Sequence, residues 1–347
     1  MLPPSLLGYF VIPFIIGLFL AITMGGSGTG PAFSAAYGSG VLKKSAIAGL
    51  FGIMVFLGAI IAGKHTATTI GKDLIDPGLM NLQLVSIILF SVAISLLIAN
   101  ISGIPQSTSQ STVLAVMAAA TYFNQGNPQK LFAEIIPAWF ILPVVSFFIS
   151  YLMGKYIYRP MRRRGLTISR SSNVNRKPVL NTIIIIMSLY VAFSIGSNNV
   201  ANAAGPIASM TANELGVTDE KGFNLLLTFA VFMIAPAFGI GSSVFGNKIL
   251  ENTGKEIVLF GKFEAIIISF VSASLLLLAS LTKGIPTSLV QLNVAAILGI
   301  GVAKLGPENI FKKTEVRKFF LMWLIAPAIA FVLCYTLIVI VHRYQLI

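Results

Sequence analysis

Apolar residues run along this chain in blocks too long for a soluble core. Asp, Glu, Lys and Arg are absent from 1–42, 45–63, 77–129, 135–154, 178–213, 222–247, 265–282, 284–303 and 319–342. A helix that crosses a bilayer needs about 20 predominantly apolar residues. The pattern predicts helices over 5–23, 44–63, 79–100, 111–123, 131–158, 178–195, 222–245, 262–281, 290–304 and 319–342. Polar runs interrupt two of the blocks. "ITMGGSGTGPA" (22–32) follows the first apolar helix, and "GSNNVANAAGP" (196–206) follows "NTIIIIMSLYVAFSI". Glycines and amides at membrane depth are tolerated only where protein or a wet cavity satisfies the backbone they free.

The blocks repeat. "ITMGGSGTGPA" (22–32) matches "FSIGSNNVANA" (193–203), and "GKHTATTIGK" (63–72) matches "GNKILENTGK" (246–255). "GIPQSTSQ" (103–110) matches "GIPTSLVQ" (284–291), and W-x-x-x-P recurs at Trp139–Pro143 and Trp323–Pro327. The offsets are 171, 183, 181 and 184 residues, in unchanged order. Two units follow: 1–158 and 178–347, joined by a basic linker over 159–177. With five crossings each, the second unit lies upside down relative to the first, an inverted-topology repeat.

Composition agrees. Of 347 residues, 56% are hydrophobic and 10% charged, against about a quarter charged in soluble proteins. The fold class expected is an all-α polytopic membrane protein with broken helices and re-entrant hairpins meeting at the midplane. The net charge of +13 does not call for nucleic acid, because the positive-inside rule accounts for it. Placing the linker in the cytoplasm puts 18 of the 24 Lys and Arg inside. That orientation leaves both termini outside a cell (plasma) membrane. The first basic residue is Lys43, so no cleavable leader is expected. The single cysteine, Cys334, excludes an internal disulfide.

Candidate chemistry gathers at the interruptions. Gly25, Gly26 and Gly28 are expected to break the first helix and Gly196 to break its counterpart, so that half-helices start there. The N–H groups at such starts carry the positive end of the helix dipole and suit an anion. In the hairpins, Gly103 and Pro105 form one turn, and Ser107, Thr108, Ser109 and Gln110 open the next helix; Thr287, Ser288 and Gln291 do so after Pro286. With Ser27, Gly28, Thr29, Gly196, Ser197, Asn198, Asn199 and Asn202, these residues make a cage of neutral donors. None of these motifs contains Lys or Arg. Such a cage fits a tetrahedral oxyanion that must be released again. No nucleophile, acid–base pair, metal cluster or phosphate-binding loop stands out, so neither an enzyme nor a bound cofactor is expected.

Gly196-Ser197-Asn198-Asn199-Val200-Ala201-Asn202-Ala203 resembles the G-x-N-D-V-A-N signature of the inorganic phosphate transporter (PiT) family. "GSGVLKK" (38–44) and the paired G-I-P hairpins fit the same family. Where phosphate permeases keep an Asn-Asp pair in both halves, this chain has Ser27-Gly28 and Asn198-Asn199. Where they keep a hairpin histidine, it has Gln110 and Gln291. "GGSGTGPAFSAAYGSGVLKK" is similar to the first motif of the family's bacterial sulfate permeases. The resemblance implies a secondary active transporter, and its aspartates imply sodium sites that this chain lacks. Sulfate only accepts hydrogen bonds at physiological pH, which suits a cage without carboxylates. The expectation is sulfate import by proton symport through alternating access, with Glu264 as the candidate proton carrier. A phosphate permease coupled to sodium or protons, or an anion channel, is the alternative. The exposed helix faces permit a homodimer and must meet the lipid bilayer.

Overall fold

The computed structural model describes residues 4–101, 106–160, 177–255, 261–312 and 314–344. Gly103, Pro105 and most of the basic linker lie outside them. Twelve helices carry the architecture: α1 Pro4–Gly38, α2 Lys44–Ala62, α3 Leu82–Ile101, α4 Thr108–Phe123, α5 Ile136–Met153, α6 Lys177–Asn199, α7 Ala201–Glu214, α8 Glu220–Ile234, α9 Pro236–Lys255, α10 Lys262–Lys283, α11 Leu289–Leu305 and α12 Thr314–Arg343. π-helical turns over Lys130–Ile135 and Gly154–Tyr158 extend α5 at both ends. Among the described residues, eight segments are long and apolar enough to cross a bilayer. The helices α4 and α11, of 16 and 17 residues, fall short of a full crossing.

The packing exchanges partners between the halves. Helix α1 lies against α9 and α3, while α6 lies against α2 and α10; α5 packs on α11, and α12 on α4. Each pairing has its counterpart at the repeat offset found in the sequence.

The expected helix breaks are absent from the first half. Helix α1 runs without interruption through Gly25, Gly26 and Gly28. In the second half only Val200 separates α6 from α7, with helical φ −61° and ψ −32°, so Gly196 starts no half-helix either. The glycines serve close approach. A Cβ on Gly25 would strike the Phe238 carbonyl, and one on Gly241 the Ile22 carbonyl, both where α1 crosses α9. A Cβ on Gly58 would strike the Phe193 carbonyl, and one on Gly196 the Val55 carbonyl, both where α2 crosses α6. Without hydrocarbon expulsion to drive them together, membrane helices associate through such small-residue contacts. The packing outweighs glycine's helix penalty of about 1 kcal/mol.

Candidate functional site

Two short helices point their N-termini at one place. Ser107 caps α4 at φ −89° and ψ 104°, and Ser288 caps α11 at φ −94° and ψ 108°, the same conformation in both halves. The Ser107 hydroxyl oxygen accepts Gln110 N–H at 3.3 Å, and that of Ser288 accepts Gln291 N–H at 3.2 Å. Ser111 N–H and Leu292 N–H close the first helical turns onto the Ser107 and Ser288 carbonyls. Of the four N–H groups that a helix start leaves open, the first two in each helix have no partner among the described residues: Thr108 and Ser109, Leu289 and Val290.

Those four residues and both caps line a small cavity, about 20 Å³, shared with Ser27, Gly28, Pro31, Gln106, Ile195, Asn199 and Thr287. A water needs roughly 10–15 Å³ on this measure, so the space is on the scale of a compact inorganic ion. No charged side chain belongs to the lining. Leu289 and Val290 have no polar side-chain atom, so their contribution to a polar ligand is their backbone N–H. Among the described residues, neither the Ser107 nor the Ser288 hydroxyl donates elsewhere, so both protons are free for a ligand in the cavity that the two residues line. Asn199 Oδ1 is enclosed without a partner, and its amide can present oxygen or NH2 to a ligand. Two opposed helix N-termini with free N–H groups and hydroxyls form an anion cradle.

The chain as a whole matches known permeases. Residues 24–334 fit the model of the phosphate transporter family. This chain belongs to that family. It is 33% identical to the sulfate permease CysP of Bacillus subtilis over 325 residues, covering 93% of this chain and 86% of that one. It is 24% identical to a Pyrococcus abyssi protein carrying a provisional phosphate permease name, covering 93% and 95%. A solved sodium-dependent phosphate transporter superposes with a TM-score of 0.82 at 21% identity, covering 97% of this chain and 99% of that one, and so shares the fold. The protein is therefore a polytopic transporter of the phosphate and sulfate permease kind.

Within this transporter the structure divides the residues named from sequence into two groups. Ser27, Gly28, Ser107, Thr108, Ser109, Asn199, Thr287 and Ser288 line the cavity. Thr29, Gln110, Gly196, Ser197, Asn198, Asn202 and Gln291 lie behind or beside it. Several hydroxyls are committed to protein acceptors. Ser27 donates to Met24 O at 3.0 Å, Thr29 to Gly25 O at 2.7 Å, Ser197 to Ser194 O at 2.8 Å, and Thr287 to Ile285 O at 3.1 Å.

Asn198 is a tie. Its Oδ1 accepts the Ser109 hydroxyl at 3.0 Å and Thr287 N–H at 3.2 Å; its Nδ2 donates to Ser280 Oγ at 2.8 Å and Ile285 O at 3.2 Å. Asn202 Nδ2 donates to Ser109 Oγ at 3.3 Å. Pro31 lacks the N–H that would meet the Ser27 carbonyl within the helix. Trp139 Nε1 holds the second hairpin by donating to Pro286 O at 2.8 Å.

Leu289, Val290, Ile195, Gln106 and Pro31 line the cavity but were missed by side-chain reasoning. The Ser288 cap signal, followed one step further to the N–H groups it leaves open, points to the first two. Glu264 is buried in an ion pair with Lys304 at 2.8 Å. It sits at the start of α10, about 24 Å along the helix axis from Ser280, which touches the tie at Asn198.

Proposed function

We propose that this transporter imports a tetrahedral inorganic oxyanion, with sulfate as its substrate. The observation that carries the reading is the cavity wall: four backbone N–H groups from two opposed helix starts, two cap hydroxyls and no charged side chain. Neutral donors hold a dianion without binding it too tightly to release. Sulfate has no proton to give and matches a wall of donors. Resemblance to a named sulfate permease across 93% of the chain supports the same substrate.

Uptake of a dianion against an inside-negative potential costs about 2.3 kcal/mol per charge per 100 mV, so transport is coupled to a cation. No carboxylate lines the cavity among the described residues, and a proton is the coupling ion we propose. The exchange of packing partners between 1–158 and 178–347 and the matched caps support two inverted halves rocking about the cavity. In this arrangement the 159–177 linker is cytoplasmic and both termini lie outside.

Phosphate is the second reading, favoured by one observation. Asn199 Oδ1 is an unpartnered acceptor at the cavity, and a protonated phosphate oxygen would donate to it. Radiolabelled uptake into proteoliposomes with imposed proton or sodium gradients separates the two. Sulfate accumulation that collapses with the proton gradient and ignores excess phosphate is the expected result. Sodium-driven phosphate accumulation would replace this reading with the second, and flux without accumulation would mean a channel.

A further inference from the structure

Gln110 and Gln291 occupy the third residue of α4 and α11, at corresponding positions of the two halves. Each amide donates to the other's carbonyl oxygen, at 3.1 and 2.9 Å, closing a ring of two hydrogen bonds. Their exposures are 5% and 3%, and neither belongs to the cavity wall. Their backbone N–H groups are already held by the caps. The pair therefore lies less than one helical turn, about 5 Å, behind the unclaimed N–H groups of Thr108, Ser109, Leu289 and Val290.

A reciprocal pair of planar amides has one separation, because both hydrogen bonds must close together. With both side chains buried, that separation constrains the gap between the two donor groups in front of it. An anion touching both helix starts must match this gap. The Asn198 tie holds Ser109 and Thr287 on one oxygen, at 3.0 and 3.2 Å, and so bears on the same gap from the side of α6. On the anion reading above, we propose that the Gln110–Gln291 pair is the specificity-determining brace of the site, selecting sulfate-sized ions over larger tetrahedral dianions such as molybdate.

The test is equilibrium binding of radiolabelled sulfate to the purified full-length protein, with molybdate as competitor. In the double variant Gln110→Leu/Gln291→Leu, both buried amides go together and no unpaired partner is left, so folding is little affected. The molybdate-to-sulfate preference is expected to rise about tenfold, the scale of a pairwise coupling between touching groups. A folded double variant with wild-type preference overturns the brace.

A second variant serves where the first fails to fold. In Gln110→Glu, the neutral carboxylic acid can give and take hydrogen bonds with Gln291 as the amide does, and burial favours that neutral form. The ionised form cannot complete the ring and turns a negative charge toward the anion. At pH 5, where the acid is neutral and the ring can close, the molybdate-to-sulfate preference is expected to match that of wild type. A folded Gln110→Glu variant whose preference departs from wild type at pH 5 overturns the brace. Wild-type protein that binds neither sulfate nor phosphate would instead sink the anion reading itself.

Discussion

The Ser109 hydroxyl donates its one proton to Asn198 Oδ1 at 3.0 Å, joining the start of α4 to the end of α6. Ser109 lines the cavity, yet its side chain has no proton left for an anion. Ser109→Ala is expected to leave sulfate affinity within about threefold of wild type, while Ser107→Ala weakens it more, by removing a free donor as well as a cap. Asn198→Ala abandons four buried partners at once. It is expected to lower stability by about 2–4 kcal/mol, read as a fall in thermal unfolding temperature in detergent.

Ser288→Asp separates folding from function. Aspartate is as good an N-cap as serine, and its charge suits the dipole, so thermal stability should hold or rise. The same carboxylate would face the bound anion across the cavity. Sulfate uptake is expected to fall by more than about a hundredfold, a loss of roughly 3 kcal/mol in a poorly screened site. Retained uptake would remove the cap from the anion-binding wall.

Gly196→Ala and Gly25→Ala push helix backbones apart at equivalent crossings. Each is expected to destabilise the fold by about 1–3 kcal/mol, the usual result of overpacking a filled interface. Gly38 has nothing within reach of an added Cβ, and Gly38→Ala is the control that should leave unfolding unchanged. Equal unfolding temperatures for all three variants would show that the crossings give way freely.

Glu264→Gln tests the candidate proton carrier. The substitution leaves the Lys304 ammonium without its partner, at a cost of about 3–5 kcal/mol for a buried pair. Uptake measured at matched protein levels is expected to keep the pH dependence of wild type, because the residue lies far along α10 from the cavity. Loss of proton-driven uptake with binding intact would put Glu264 on the coupling path.

The helices and the serine caps of α4 and α11 were legible because each is written in side-chain pattern: apolar runs, and serine ahead of a helix. Gly25 and Gly196 misled for a physical reason. A glycine that ends a helix and one that admits a neighbouring carbonyl look alike in sequence, and only the crossing partner tells them apart. Asn198 reads as a ligand in sequence because a buried amide needs partners, and in the fold it has four within the protein: Ser109, Thr287, Ser280 and Ile285. Leu289 and Val290 were invisible because what they offer is backbone.

The crossings of α1 with α9 and α2 with α6 place backbone on backbone, with no side-chain layer between. Each joins a helix from the first half of the chain to one from the second. Neither half is then a finished object, since each supplies half of two seams. A chain severed in the 159–177 segment after folding would stay whole. Either half made alone would present two bare glycine seams to lipid, with nothing in the membrane shaped to fill them.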